Sequence, residues 1–164
     1  MPKATNDQIA ENGYSAWRLS SSLPPFGALA SAPRMARAHL RDVLALWDMT
    51  HLTEQAEYVV SELVTNALNA STRDGKPLYD DLGHMLTIGL ALRTGNGLLR
   101  IEVWDRAGGM PIPRDAGDNA VSGRGLAMVT YFSSARWGWT SRNPHGWKSV
   151  HAVLGPDPVK DPEQ

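Results

Sequence analysis

Two alternating apolar runs on either side of a tight turn constrain this chain more than any other feature. Leu86, Ile88, Leu90 and Leu92 alternate with Thr87, Gly89 and Ala91, and after Thr94-Gly-Asn-Gly97 the pattern resumes at Leu99, Ile101 and Val103. Successive side chains on a strand point to opposite faces, so both runs place their large residues on one side. The segment is therefore expected to be an antiparallel hairpin with one buried face, in a register that a one-residue slip would invert.

Two amphipathic segments upstream can cover that face. From Pro33, a favourable first-turn residue, Ala36, Leu40, Val43, Leu44 and Trp47 fall at helical spacing, with Arg34, Arg37 and Arg41 gathered on another side. Thr53 is placed to cap a second helix with apolar positions Ala56, Val59, Val60, Leu63, Val64 and Ala67, ending before Ser71-Thr-Arg-Asp-Gly75. Tyr14 to Leu23 reads as a first strand ended by Pro24-Pro25, and residues 106–122 carry no periodicity and read as a long loop. Leu126 to Phe132 is a short helix opened by Gly123-Arg-Gly125, and Ala135–Thr140 with Trp147–Leu154 forms a closing hairpin around Asn143-Pro-His-Gly146. This order predicts an α/β (α+β) two-layer sandwich, a mixed and mostly antiparallel sheet covered on one face by helices. A single domain over 14–154 is expected, between an N-terminal tail over 1–13 and a Pro-rich tail over 155–164.

The chain has 164 residues, 16 Lys+Arg against 17 Asp+Glu and a net charge of -1, so net charge supplies no attraction to nucleic acid or to an anionic membrane. It has no cysteine, which removes disulfides and thiolate chemistry, and no apolar run of transmembrane length, so a cytoplasmic protein is expected. Five of the 15 glycines fall between Asp105 and Gly125. Glycine is entropically costly, and such a concentration suits backbone that bends or approaches a ligand closely.

Three places carry candidate chemistry. Glu62 and Asn66 lie one turn apart on the second helix, Asn66 only about 20° from Val59 at a rotation of about 100° per residue. A carboxylate and an amide there could face a hard cation and phosphates, or could be border residues satisfied by water and backbone. Asp105 ends its strand before Arg106-Ala-Gly-Gly109, where a carboxylate could accept from a ligand amine beside bare backbone, or could simply terminate the strand in a turn. Gly123-Arg-Gly-Leu126 opens a helix, where free N–H groups and the helix dipole favour an anion, although a plain helix start has the same composition.

Taken in order, Glu62-Leu-Val-Thr-Asn-Ala67, Asp105-Arg-Ala-Gly-Gly109 and Gly123-Arg-Gly-Leu126 resemble the conserved boxes of the histidine kinase-like (GHKL) ATPase superfamily, which includes gyrase, histidine kinases and mismatch-repair ATPases. Over roughly 30–154 the chain is most similar to the bacterial anti-sigma-factor serine/threonine kinases, actinobacterial forms included, and Gly146-Trp-Lys-Ser-Val150 resembles their last strand. The resemblance implies the Bergerat ATP-binding fold and a set of roles. Glu62 would be the catalytic base, Asn66 the ligand of a Mg²⁺ ion on the ATP phosphates, and Asp105 the acceptor of the adenine amine. Gly109, Gly123, Gly125 and Leu126 would lie against the nucleotide, Ser149 would stand near the adenine, and 106–122 would be the lid. It further implies an ATP-dependent protein kinase that regulates transcription by partner switching. Its partners would be a sigma factor or an anti-sigma-factor antagonist, and a homodimer is possible. The other function class is a nucleotide-dependent regulatory module with little or no kinase activity. Ala107 stands where the commoner D-x-G-x-G form has its first glycine.

The remaining features carry less. The five histidines show no ligand pairing, so zinc is not expected, and Trp137 and Trp139 read as packing rather than as base-stacking platforms. The Arg34, Arg37, Arg41 stripe reads as a solvated face or as a contact for an acidic protein partner.

Overall fold

The computed structural model describes residues 17–107, 123–142 and 146–156. Along the chain these form β1 (Leu19–Gly27), α1 (Ala32–Leu46), a 3-10 turn (Thr50–Leu52), α2 (Thr53–Ala70), β2 (Thr72–Arg73), β3 (Lys76–Pro77), β4 (Thr87–Gly95), β5 (Leu98–Asp105), α3 (Gly123–Phe132), β6 (Trp137–Arg142) and β7 (Trp147–Leu154). Five strands make one sheet in the order β1-β4-β5-β7-β6, and β2-β3 is a separate two-stranded ribbon.

Every neighbouring pair of described strands is antiparallel, so the expected mixed sheet is not observed among them. The reason is topological. Strands β5 and β6, on either side of α3, run in the same direction, but β7 sits between them and pairs antiparallel with both. From β1 the chain passes through two helices before β4, and this return also yields an antiparallel pair.

The core lies between sheet and helices. All six predicted apolar positions of α2 are buried, and α2 packs on β4, β5 and β7. Beneath it Ile88, Leu90 and Leu92 of β4 and Leu99 and Ile101 of β5 are fully buried, as is Leu154 of β7. Their in-phase register, with Ile101 opposite both Leu92 and Ala152, makes one continuous apolar surface. Helix α1 buries Ala36, Leu40, Val43 and Leu44 and lies beside α2, while α3 joins the layer through Val129. The result is a two-layer α+β sandwich. On the other face Glu102 is buried between Arg93 and Arg100, whose guanidinium nitrogens lie 4.0 and 3.6 Å from its Oε2.

Several local expectations are corrected. Among the described residues strand β1 starts at Leu19, the predicted start at Tyr14 lying outside them, and it continues past Pro24-Pro25 to Gly27, with a register shift between Leu23 and Phe26. Proline has no N–H to donate, and an edge strand with a bulge tolerates that loss. Thr53 is the first residue of α2 rather than its cap, because the 3-10 turn leads directly into the helix. Helix α3 begins at Gly123 itself, and the β2-β3 ribbon, too short to show a period, occupies what reads as a loop. The hairpin turn is as expected, with Asn96 and Gly97 both left-handed at φ 53° and 76°. The 143–145 turn, both predicted tails but for residues 155–156, and all of the predicted lid but for residues 106–107 lie outside the described residues.

Two of the three stripe arginines are used inside the helix layer. Arg37 Nη1 donates to Ser61 Oγ at 3.1 Å and Arg41 pairs with Glu57, so both tie α1 to α2, while Arg34 is exposed. No helix among the described residues is long and apolar enough to cross a membrane.

Truncating Leu90, fully buried in a central strand, is expected to lower unfolding free energy by about 2–5 kcal/mol as Leu90→Ala. Leu46→Ala, at a side chain 82% exposed, is expected to stay within about 0.5 kcal/mol. Urea denaturation of both variants checks the pair.

Candidate functional site

The apolar stripe of α2 fixes where its polar border goes. With Val59, Val60, Leu63 and Val64 held against the sheet, Glu62 and Asn66 emerge half-buried along one edge, as their angular position predicts. The N-terminal turn of α3 meets this edge. A β-carbon on Gly125 would collide with Glu62 Oε2 and crowd its Cδ, so the α3 backbone rests directly on the carboxylate. A side chain at this position would have to push the Glu62 carboxylate aside, so glycine keeps it where it lies. The contact places the carboxylate beside the first turn of a helix, an end at which negative charge is generally favoured. Burial pushes the Glu62 carboxyl above its ordinary value. Gly123 opens the same helix and Leu126 is half-buried in its first turn, the Leu126 carbonyl accepting from Thr130 Oγ1 at 2.8 Å.

Asp105 ends β5 on the helix-covered face, paired with Ile88 on one side and Lys148 on the other. Its side chain is only 6% exposed. Oδ1 accepts the Ala107 N–H at 2.9 Å and lies 3.4 Å from Lys148 Nζ. Burial pushes the Asp105 carboxyl up, partly offset by the Lys148 ammonium and the Ala107 N–H. Ala107 is buried and is not among the left-handed residues, so this turn accepts a β-carbon without backbone strain. A chain of backbone bonds connects this end of the sheet to α2. Leu78 N donates to Ser71 O just past the helix, and Leu86 N donates to Leu78 O one residue before β4, each at 2.9 Å. The Asp105 end of β5 therefore lies toward the C-terminal end of α2, the end that carries Asn66.

Of the predicted residues, Glu62 and Gly125 are brought into contact, Asn66 lies one turn on from Glu62, and Asp105 faces the helix layer from the end of β5. Ser149 is not brought to the same face. It pairs with Trp104, one position out of phase with Asp105, and its buried Oγ has no hydrogen-bond partner among the described residues. Gly109 lies outside the described residues. Lys148 was missed by the sequence reading, although a signal exists. It is in phase with Val150, Ala152 and Leu154, so strand alternation turns a lysine toward the core side.

No cluster of three or more His, Asp or Glu able to hold a metal occurs among the described residues. A divalent cation here would thus depend on Asn66 and on oxygens of its ligand, as Mg²⁺ bound with phosphates commonly does. A shallow pocket lined by Trp17, Arg18, Leu19, Ser20 and Arg93 lies at the β1 edge of the sheet and includes none of these residues.

The raised Glu62 pKa has a definite linkage sign. The native state binds this proton more tightly than the unfolded chain does, so stability associated with Glu62 is lost as pH rises through the native value, above the ordinary 4.5. The melting temperature of Glu62→Gln minus that of the wild type is therefore expected to become more positive across that rise, as measured by thermal denaturation over a pH series. A difference that falls with pH contradicts burial as the dominant influence. No protein-family model matches the chain, and no curated protein matches it at a significant level.

Proposed function

We propose that the protein is an ATP-binding regulator with the Bergerat fold and serine/threonine kinase chemistry, acting on transcription through a sigma factor or an anti-sigma-factor antagonist. The observation that carries this reading is the contact between Glu62 and Gly125. It joins the two sequence boxes that the resemblance assigns to catalysis and to phosphates, at a helix start suited to anions. Asp105, buried at the end of β5 on the helix-covered side, supports a base subsite, and the close approach at Gly125 leaves the α3 backbone bare beside Glu62.

The chemistry needs few protein groups, because phosphoryl transfer is catalysed mainly by positioning and charge neutralisation. When bound, Mg²⁺ would supply neutralisation of phosphate charge. Asn66 would contribute its amide oxygen to that ion. N–H groups of the first turn of α3 would hold phosphate oxygens, and Asp105 would orient the base. Glu62 would accept the proton of an incoming serine or threonine hydroxyl as its oxygen bonds to the γ-phosphorus, the bond from that phosphorus to the bridging oxygen breaks, and ADP departs. A carboxylate with a raised pKa is a stronger base than an ordinary one, which suits this task.

The test is incubation of the purified protein with labelled ATP, Mg²⁺ and candidate antagonist proteins. Glu62→Ala is expected to lower label transfer by at least about 100-fold while ATP still binds. Gly125→Ala is expected to impair transfer as well, by displacing the Glu62 carboxylate. ATP binding without transfer by the wild type would favour the regulatory binding module, and absence of both would overturn the reading.

A further inference from the structure

Helix α3 meets its surroundings along two rows of residues. Gly125 and Phe132 touch α2, with Val129 fully buried between them: Gly125 rests on Glu62, and the Phe132 ring lies 5.5 Å from that of Tyr58, one turn before Glu62. Leu126 and Thr130, one turn apart, form the second row, and here the partner is the sheet. Trp137 stands on the edge strand β6, paired with Ala152 on the core side, and its indole Nε1 donates to Thr130 Oγ1 at 2.8 Å.

Thr130 Oγ1 in turn donates to the Leu126 carbonyl, also at 2.8 Å. Chemistry fixes the direction of this relay. An indole N–H can only donate, so the hydroxyl accepts from it and has its single proton left for the carbonyl. A hydroxyl bonded back to the carbonyl four residues earlier commonly bends a helix, and this carbonyl belongs to the residue next to Gly125. The angle of the first turn of α3 is thereby tied to a side chain of the sheet.

The junction from α3 to β6 is over-determined as well. Ser134 and Ala135 are both left-handed, at φ 49° and 60°, a conformation that is costly for residues with a side chain. Ala135 N donates to Thr130 O at 2.8 Å, and the Arg136 guanidinium donates to Ser133 O and Gly155 O at 3.1 and 2.7 Å. Strain of this kind persists only where the surroundings enforce it, and the enforced result is a short connection that returns Trp137 to Thr130.

We propose that Thr130 and Trp137 are positioning residues, a hydrogen-bond relay from the edge strand that holds the first turn of α3 against the Glu62 carboxylate. Its bearing on catalysis rests on the phosphoryl-transfer reading above, whereas the positioning is a property of the fold and is measured without nucleotide.

The experiment is NMR of the full chain combined with the label-transfer assay. Cross-peaks between the Gly125 α-protons and the Glu62 γ-protons report the contact, and those between the Tyr58 and Phe132 rings report docking of the far end of α3. Thr130→Val and Trp137→Phe each break the relay with little change of shape, and each is expected to lose the first set and keep the second. Thr130→Ser, which retains the hydroxyl, is expected to keep both. Label transfer is expected to fall about 10- to 100-fold in the two relay-breaking variants, the effect of a small misplacement of a catalytic group, and to be rescued in Thr130→Ser. Either relay-breaking variant decides the question if the other does not fold. Retention of the Gly125 to Glu62 cross-peaks in such a variant, or their loss in Thr130→Ser, overturns the proposal. Loss of both sets overturns it too, because the relay then holds α3 as a whole rather than aiming its first turn. Unchanged transfer in a variant that has lost the contact overturns the bearing on catalysis. A wild type that shows the expected cross-peaks but transfers no label overturns the phosphoryl-transfer reading and leaves the positioning standing.

Discussion

Helix α2 packs across the central strands and covers the apolar face that the hairpin β4-β5 presents. Six buried positions at helical spacing meet an in-phase surface built from Ile88, Leu90, Leu92, Leu99 and Ile101. This single packing contact sets the rotation of α2, and the rotation sets which residues stand at its borders. Glu62 and Asn66 therefore face along an edge that is neither core nor open solvent. Arg37 and Arg41 then bind α1 to the neighbouring side through Ser61 and Glu57, and α3 closes against the Glu62 side through Gly125.

The two layers also divide the buried charge. On the face away from the helices, Glu102 is compensated by two arginines, an arrangement that holds strands together. On the helix side, Asp105 has a lysine and one backbone N–H beside it, while Glu62 rests on a helix start. Both helix-side carboxyls are pushed up by burial. Partly desolvated carboxylates at a boundary between layers are the kind of group from which binding and catalytic sites are made.

Much of this was legible in the residues themselves. The strict alternation around Thr94-Gly-Asn-Gly97 and the helical spacing of Ala56 to Ala67 specify their elements because periods of 2 and 3.6 leave little room for confusion. Other features were not. The passage of β1 through two prolines depends on its being an edge strand, which is a property of the sheet. The antiparallel character of every described pair depends on β7 inserting between β5 and β6, and the run of elements along the chain does not specify that order.

The same division holds for the site. The sequence by itself determined that Glu62 and Asn66 share a border of α2, that Asp105 ends a strand, and that glycines open α3, since each follows from local period or local composition. Only the tertiary structure decided that Gly125 touches Glu62, that Ser149 turns away from Asp105, and that Lys148 takes the place beside that carboxylate. These depend on which strand pairs with which and in what register, a choice made by long-range packing and invisible to any single stretch of chain.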